Sequence, residues 1–366
     1  MRKSLFLTLL ALILSGLGYF LYLNRPKPAL ETKFVQNVSE GNKEALPLAS
    51  NIINPANYAL VENTKQIYQT FNNCGPATLS MVLSFYGKEV SQKELGDLMR
   101  PYQIPSGDND DKTIFTSEFS DWAQKYGFSA VSRVNGDIDI LKKFTANGIP
   151  VVVKTWLKVG EDIGHFRIVR GFDDTKQVII QDDSYDGPNK KISYYDFLSI
   201  WQPFNYAYII VYTPDLEEKV LAIVGEDVDE STNWNKALAR AEKERELTPE
   251  NIYPLFNLST TAYHLGDYKK SVEAFEQVEN LLPRRMLWYQ IEPILAYQKL
   301  LNYSRVFEIT DKILAGGNHA FSELYLIRGE VYLSQGEKDK AKTEFEQAVS
   351  YNKNLEKARQ ALADLN

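Results

Sequence analysis

One cysteine, Cys74, and three histidines, His165, His264 and His319, are the residues of this 366-residue chain that can supply a thiolate and an imidazole. Cys74 stands in QTFNNCGPATLSMVLSFYG, directly before Gly75 and Pro76. Proline is favoured in the first turn of a helix, so a helix is predicted to begin at the cysteine. Amide dipoles at a helix N-terminus favour an anion and lower the pKa of a thiol placed there. The competing reading is a small, inert, buried cysteine. A thiolate nucleophile also needs a base. His264 and His319 fall in a helical C-terminal part, whereas His165 opens a strand pattern, GHFRIVRGFDD, in the same part of the chain as Cys74. An imidazole base is oriented by a third group that also stabilises its charged form. QVIIQDD ends on Asp182 and Asp183, and the turn GFDDTKQ pairs it with the histidine strand as a hairpin. That brings either Asp182 or Asp183 near His165, while Asp173 and Asp174, at the turn end, read as solvated. Acyl transfer further needs donors aimed at an oxyanion. The Cys74 N–H is one, and a side-chain amide from Gln69 or Gln66, five and eight residues upstream, is another.

The elements that must position these groups are legible as patterns. GPATLSMVLSFYG has apolar residues at helical spacing and stops on Gly87. SQKELGDLM opens with Ser91 and has Glu94 three residues on, a capping box. SEFSDWAQKYG and DIDILKKFTANG complete a helical first half. PVVVKTW, HFRIVRGF, QVIIQDD and YAYIIVY then read as strands, with a helix SYYDFLSIW before the last. Helices first and strands later predict an α+β domain, with helices packed on an antiparallel sheet. DSYDGPNKK reads as a turn-rich loop at the rim of the site. The acidic stretch SGDNDDKT lacks the spacing of a calcium loop and reads as solvated. No cofactor or metal is expected.

From about Leu216 the signal is wholly helical. ELTP ends at Pro249 and NLLP at Pro283, 34 residues on, which is the tetratricopeptide period. In YPLFNLSTTAYHLGDYKKSVEAFEQVENLLP, the residues Leu258, Ser259, Gly266, Tyr268, Ser271, Phe275 and Pro283 resemble the repeat. SELYLIRGEVYLSQGEKDKAKTEFEQAVSYN resembles it through Gly329, Tyr332, Gly336, Ala341, Phe345 and Ala348. The copy between them is degenerate, and WNKALARAEKERELTP reads as the second helix of a further one. Small residues let paired helices approach, and each pair needs neighbours to bury its face.

QTFNNCGPATLSMVLSFYG, GIPVVVKTW, GHFRIVRGFDD and VIIQDDSYDGPNKKISYYDFLSIW, in this order, resemble the peptidase C39-like family. The resemblance covers about residues 60 to 214. It implies a papain-like fold and a cysteine peptidase in which Cys74 is the nucleophile and His165 the base. It implies Asp182 as the orienting acid, although the family's Asp-Pro is here Asp182–Asp183, and it implies Gln69 as the oxyanion glutamine.

The sequence thus divides into a membrane anchor or signal segment (1–25), a tether (26–63), a C39-like domain (64–214) and an all-α tetratricopeptide-like solenoid (215–366). Leu5 to Leu23 carries no charge and as a helix spans roughly 28 Å, near the thickness of a bilayer core. It is read as a single membrane anchor with the bulk of the chain exported, the alternative being a cleaved signal and a secreted protein. A net charge of −7 with dispersed basic residues excludes a nucleic-acid protein. A single cysteine excludes an intramolecular disulfide and CxxC zinc sites. The absence of GxxxxGK[ST] excludes an ATP-driven exporter. The expected partners are a peptide or protein substrate, a protein partner on the repeats, and the membrane. The expected activity is peptide-bond cleavage. The alternatives are an idle peptide-binding scaffold acting through its repeats, and a transferase or amidase using the same residues.

Overall fold

The computed structural model describes residues 52–103 and 113–365. Among these, no helix is long and apolar enough to cross a membrane. The anchor segment, most of the tether and the acidic stretch 106–112 lie outside the described residues.

The first part is built from β1 (Tyr58–Leu60), α1 (Cys74–Phe85), α2 (Gln92–Met99), α3 (Thr116–Lys125), β2 (Ser129–Arg133), α4 (Ile138–Ala146), β3 (Val151–Trp156), β4 (Gly164–Asp173), β5 (Val178–Asp183), β6 (Gly187–Ser193), α5 (Tyr194–Trp201) and β7 (Tyr208–Tyr212). Ser91 caps α2 as the capping-box pattern predicts, accepting from the Glu94 N–H at 3.1 Å. The strands form one antiparallel sheet in the order β2-β7-β3-β4-β5-β6, with β1 also on β4. Successive strand residues point to opposite faces, and the sheet buries both. Val152, Phe166, Ile168, Ile209 and Val211 pack under α1, α2 and α3. Val151, Val153, Val169, Tyr208, Ile210 and Tyr212 pack against α4 and α5 on the other face.

Three strands depart from the sequence reading. Residues 26–63 read as a tether, yet Tyr58–Leu60 pairs with Gly171–Asp173. A Cβ on Gly171 would lie 2.1 Å from the Ala59 carbonyl oxygen, so only glycine admits β1 here. The predicted rim loop DSYDGPNKK supplies β6, and β2 was not foreseen at all. Both lie at sheet edges, where a strand need not show alternation. In β6 the residues Pro188, Asn189, Lys190 and Lys191 are exposed, a composition that edges tolerate and central strands do not.

The second part is helical: α6 (Glu217–Val224), α7 (Glu230–Leu247), α8 (Ile252–His264), α9 (Tyr268–Glu276), the short α10 (Met286–Tyr289), α11 (Glu292–Lys299), α12 (Tyr303–Ala315), α13 (Ser322–Ser334), α14 (Lys338–Tyr351) and α15 (Glu356–Ala363). Helices α8 and α9 approach through small residues, with Ser259 Oγ donating to the Ser271 carbonyl at 2.7 Å. The helical part does not stand apart from the sheet. Trp156, Ile200 and Phe204 of the first part share one apolar core with Phe256, Met286, Trp288, Tyr289 and Ile291 of the second. Arg285 pairs with Asp162 at 2.6 Å across the same seam, and Gln290 donates to the Pro203 carbonyl at 2.8 Å.

Candidate active site

Helix α1 begins at Cys74, as the Gly-Pro pair predicts. Its N-cap residue, Asn73, does not cap it. The Asn73 side chain donates to Thr70 Oγ1 at 2.7 Å and accepts from Arg100 Nη1 at 2.6 Å instead. The first amide bonded back into the helix is that of Ala77, to the Asn73 carbonyl. Pro76 carries no N–H, so the amides of Cys74 and Gly75 remain as orphan donors of the first turn. They border a cleft of about 420 Å³ that is also lined by Gln69, His165, Lys154 and Tyr289. Cys74 is partly exposed in it.

His165 is the second residue of β4 and is buried. Its Nε2 lies 2.9 Å from Asp183 Oδ1. The same Asp183 oxygen accepts from the N–H groups of Tyr185 at 2.7 Å and Asp186 at 3.0 Å. Asp182, expected beside His165, is not there. It accepts from Arg170 Nη1 at 3.0 Å, from Thr64 Oγ1 at 2.6 Å and from the Asn189 N–H at 2.9 Å. The reason is register. Asp183 stands opposite Arg167, two residues beyond His165 and on the same side, while Asp182 stands opposite Ile168. A bulge between Val169 and Gly171 then turns Arg170 to the side of Asp182. Asp182 is therefore a structural anion that ties β4, β6 and the segment before α1 together.

The two glutamines also separate. Gln66 Nε2 donates to the Asp183 carbonyl at 2.9 Å, which fastens the end of β5. Gln69 lines the cleft. Its N–H donates to the Ser184 carbonyl at 2.8 Å, and its Oε1 accepts from Ser184 Oγ at 2.8 Å. Ser184 thereby fixes the Gln69 amide with its oxygen committed and its NH₂ available. His264 and His319 lie in the helical part.

The electrostatics follow from these contacts. Burial pushes the Cys74 thiol up, but the His165 hydrogen bond and charge, the Phe166 backbone and the Lys154 ammonium outweigh it and bring the thiol down to about 7. Burial disfavours the charged His165 ring, yet the Asp183 hydrogen bond and then the Cys74 contact hold its pKa above the ordinary value. Burial also disfavours the Asp183 carboxylate, but His165, Arg167 and the backbone donors hold it far below the usual carboxylate range. The arrangement favours a thiolate beside an imidazolium.

Two lining residues escaped the sequence reading. Lys154 sits in the strand pattern PVVVKTW and is buried, its Nζ donating to the Ile114 carbonyl and lying 4.8 Å from the Phe166 ring centroid. A lone lysine inside an apolar strand was the available signal. Tyr289 comes from the degenerate repeat. Its ring covers Gly164, where a Cβ would lie 2.7 Å from a ring carbon. Its hydroxyl is buried without a hydrogen-bond partner. Among the described residues, no group of three or more His, Cys, Asp and Glu side chains is placed to hold a metal ion.

Residues 58–209 match the peptidase C39 like family, and residues 253–283 and 322–362 match the tetratricopeptide repeat. No curated protein matches the chain. Among solved structures, a candidate C39-like peptidase from Bacillus anthracis is 18% identical, with 43% of this chain and 98% of that one covered at a TM-score of 0.35. The peptidase domain of Streptococcus ComA, a bifunctional ABC transporter of a quorum-sensing pathway, is 22% identical, covering 41% and 99% at a TM-score of 0.33. MamA from Desulfovibrio magneticus RS-1 is 19% identical, covering 40% and 82% at a TM-score of 0.34.

Proposed function

Residues 58–209 are a domain of the peptidase C39 like family followed by tetratricopeptide repeats, and on that premise we propose that the chain is a cysteine peptidase of papain-like fold. The observation that carries this reading is the His165–Asp183 contact at 2.9 Å in a cleft that Cys74 and His165 both line, with His165 drawing the thiol pKa down. The Cys74 thiolate attacks the carbonyl carbon of a peptide bond. The orphan N–H of Cys74 and the Gln69 amide donate to the oxyanion that forms. The His165 imidazolium gives its proton to the leaving amine, and Asp183 holds the ring in register for that transfer. A water deprotonated by His165 then releases the acyl group and restores the pair. The repeats hold a protein or peptide beside this cleft, and residues 1–25 tether the chain to a membrane with its bulk outside.

The test is exposure of the full chain and its Cys74→Ala variant to a proteome-derived peptide mixture, read by mass spectrometry. New peptide termini produced by the wild type and absent with the variant support the reading. Their absence, with a Cys74 no more reactive than a free thiol, supports instead a scaffold that binds peptides without cutting them. Membrane retention after carbonate extraction tests the tether, with release into the soluble fraction pointing to a secreted form.

A further inference from the structure

A second groove adjoins the catalytic cleft. It has a volume of about 640 Å³ and runs between the sheet domain and the repeats. One wall comes from Arg133 and Asn205 of the first part, the other from Trp234, His264 and Glu292 of the second. Lys154 and Tyr289 line both hollows, so the two lie side by side with these side chains between them. Tyr289 is 5% exposed, and its hydroxyl has no hydrogen-bond partner at this junction.

The charged groups of the groove are unequally engaged. Arg133 donates from its guanidinium to the Asp227, Ser132 and Val228 carbonyls and faces Glu230 at 3.6 Å. Lys154 donates to the Ile114 carbonyl, and Lys357 is an exposed side chain on α15. Glu292 meets His264 through Oε1 at 3.4 Å, but its Oε2 is buried without any partner. Beside it, Trp234 and His264 stack face to face with centroids 4.0 Å apart. A carboxylate oxygen lacking a donor, next to an aromatic face, is suited to a guanidinium or ammonium group.

We propose that the repeats and the catalytic cleft hold one and the same ligand: an extended polypeptide that passes Tyr289 and Lys154 and places a Lys or Arg side chain against Glu292. This rests on the peptidase reading for what happens at Cys74, but not for the binding itself. The repeat region is then the extended subsite of the enzyme's own substrate, rather than a dock for a separate partner. An extended chain advances roughly 3.3 Å per residue, so a segment spanning both hollows has a defined register between its basic residue and the bond at Cys74.

The experiment uses the full chain carrying Cys74→Ala and an array of random 15-residue peptides. Bound peptides are expected to carry Lys or Arg, and Cys74→Ala/Glu292→Gln is expected to bind them at least tenfold more weakly. In the wild type, the same peptides are expected to slow alkylation of Cys74 by iodoacetamide. Absence of any bound peptide, binding indifferent to Glu292→Gln, or bound peptides that leave Cys74 alkylation unprotected would each overturn the proposal. Cleavage of the bound peptides by the wild type is scored separately. Protection and Glu292 dependence without cleavage support the shared groove and remove the peptidase reading. Cleavage without Glu292 dependence does the reverse.

Discussion

Asp183 Oδ1 lies 2.9 Å from His165 Nε2, and this single contact assigns different work to two adjacent aspartates. The neighbouring Asp182 neutralises Arg170, and both side chains of that pair are almost fully buried. One change at each position therefore separates the proposed catalytic role from folding.

Asp182→Asn leaves the buried Arg170 with only the exposed Glu62, at 3.8 Å, as a counter-charge. Removing one partner of a buried pair costs about 3–5 kcal/mol, so urea denaturation is expected to show a loss of that size. The fraction that stays folded keeps its Cys74 reactivity. On the peptidase reading, Asp183→Asn is instead expected to lower peptide cleavage by roughly 10²-fold, the lower range for a disabled acid–base group, and to move the Cys74 thiol pKa upward. If Asp182→Asn is the change that moves the thiol titration, the assignment of the two residues is wrong.

Asp183 also predicts a direction in pH. Its pKa is depressed in the folded protein, so its contribution to stability is complete above the unfolded value near 4 and is lost as pH falls through and below it. Between pH 5 and pH 3 the denaturation midpoint of the wild type is expected to fall more steeply than that of Asp183→Asn. Parallel slopes would contradict a depressed carboxylate at this position.

Gln69 and Gln66 divide in the same way. Gln69→Ala removes a cleft-lining amide and is expected to lower the cleavage rate by about 10²-fold, with the rate of Cys74 alkylation by a small reagent little changed. Gln66→Ala removes a hydrogen bond to the Asp183 carbonyl, so it is expected to lower stability by about 1 kcal/mol. Equal losses of cleavage rate in the two variants, at equal stability, would argue against Gln69 as the oxyanion donor.

Gly164 couples the sheet to the repeats. Its Cβ position is 2.7 Å from the Tyr289 ring, so Gly164→Ala forces the ring or the start of β4 to move. Overpacking of this kind costs about 1–3 kcal/mol. Thermal unfolding is expected to shift down accordingly, and Tyr289→Leu, which frees space, is expected to restore part of the loss. A second change that only adds to the first would show that the two residues do not press on each other.

Much of the site was legible in the sequence because the residues were few. A single cysteine before Gly-Pro, and a single histidine outside the helical part, left little choice of pair. The hairpin of β4 and β5 was legible from its turn and its β-branched runs, and it correctly brought an aspartate to the histidine. Which aspartate was not legible, because it depends on the one-residue bulge between Val169 and Gly171. A bulge changes the face of a side chain without changing the pattern of residue types. Strands β1, β2 and β6 were hidden because edges and short strands need no apolar alternation. Tyr289 was hidden for another reason. It belongs to the repeat copy whose sequence departs from the pattern, and a residue recruited to line a cleft is one that repeat spacing cannot foretell.

The central claim is that Cys74 is a thiolate held by His165. It is tested most directly by the rate of iodoacetamide alkylation of Cys74 against pH, in the wild type and in His165→Ala. The account predicts a wild-type titration near 7, below the value of about 8.5 for a free cysteine, and a clear upward shift in His165→Ala, where only the Phe166 backbone and Lys154 still oppose burial. A wild-type thiol that titrates at or above the free value, with a profile that His165→Ala leaves unchanged, would contradict it.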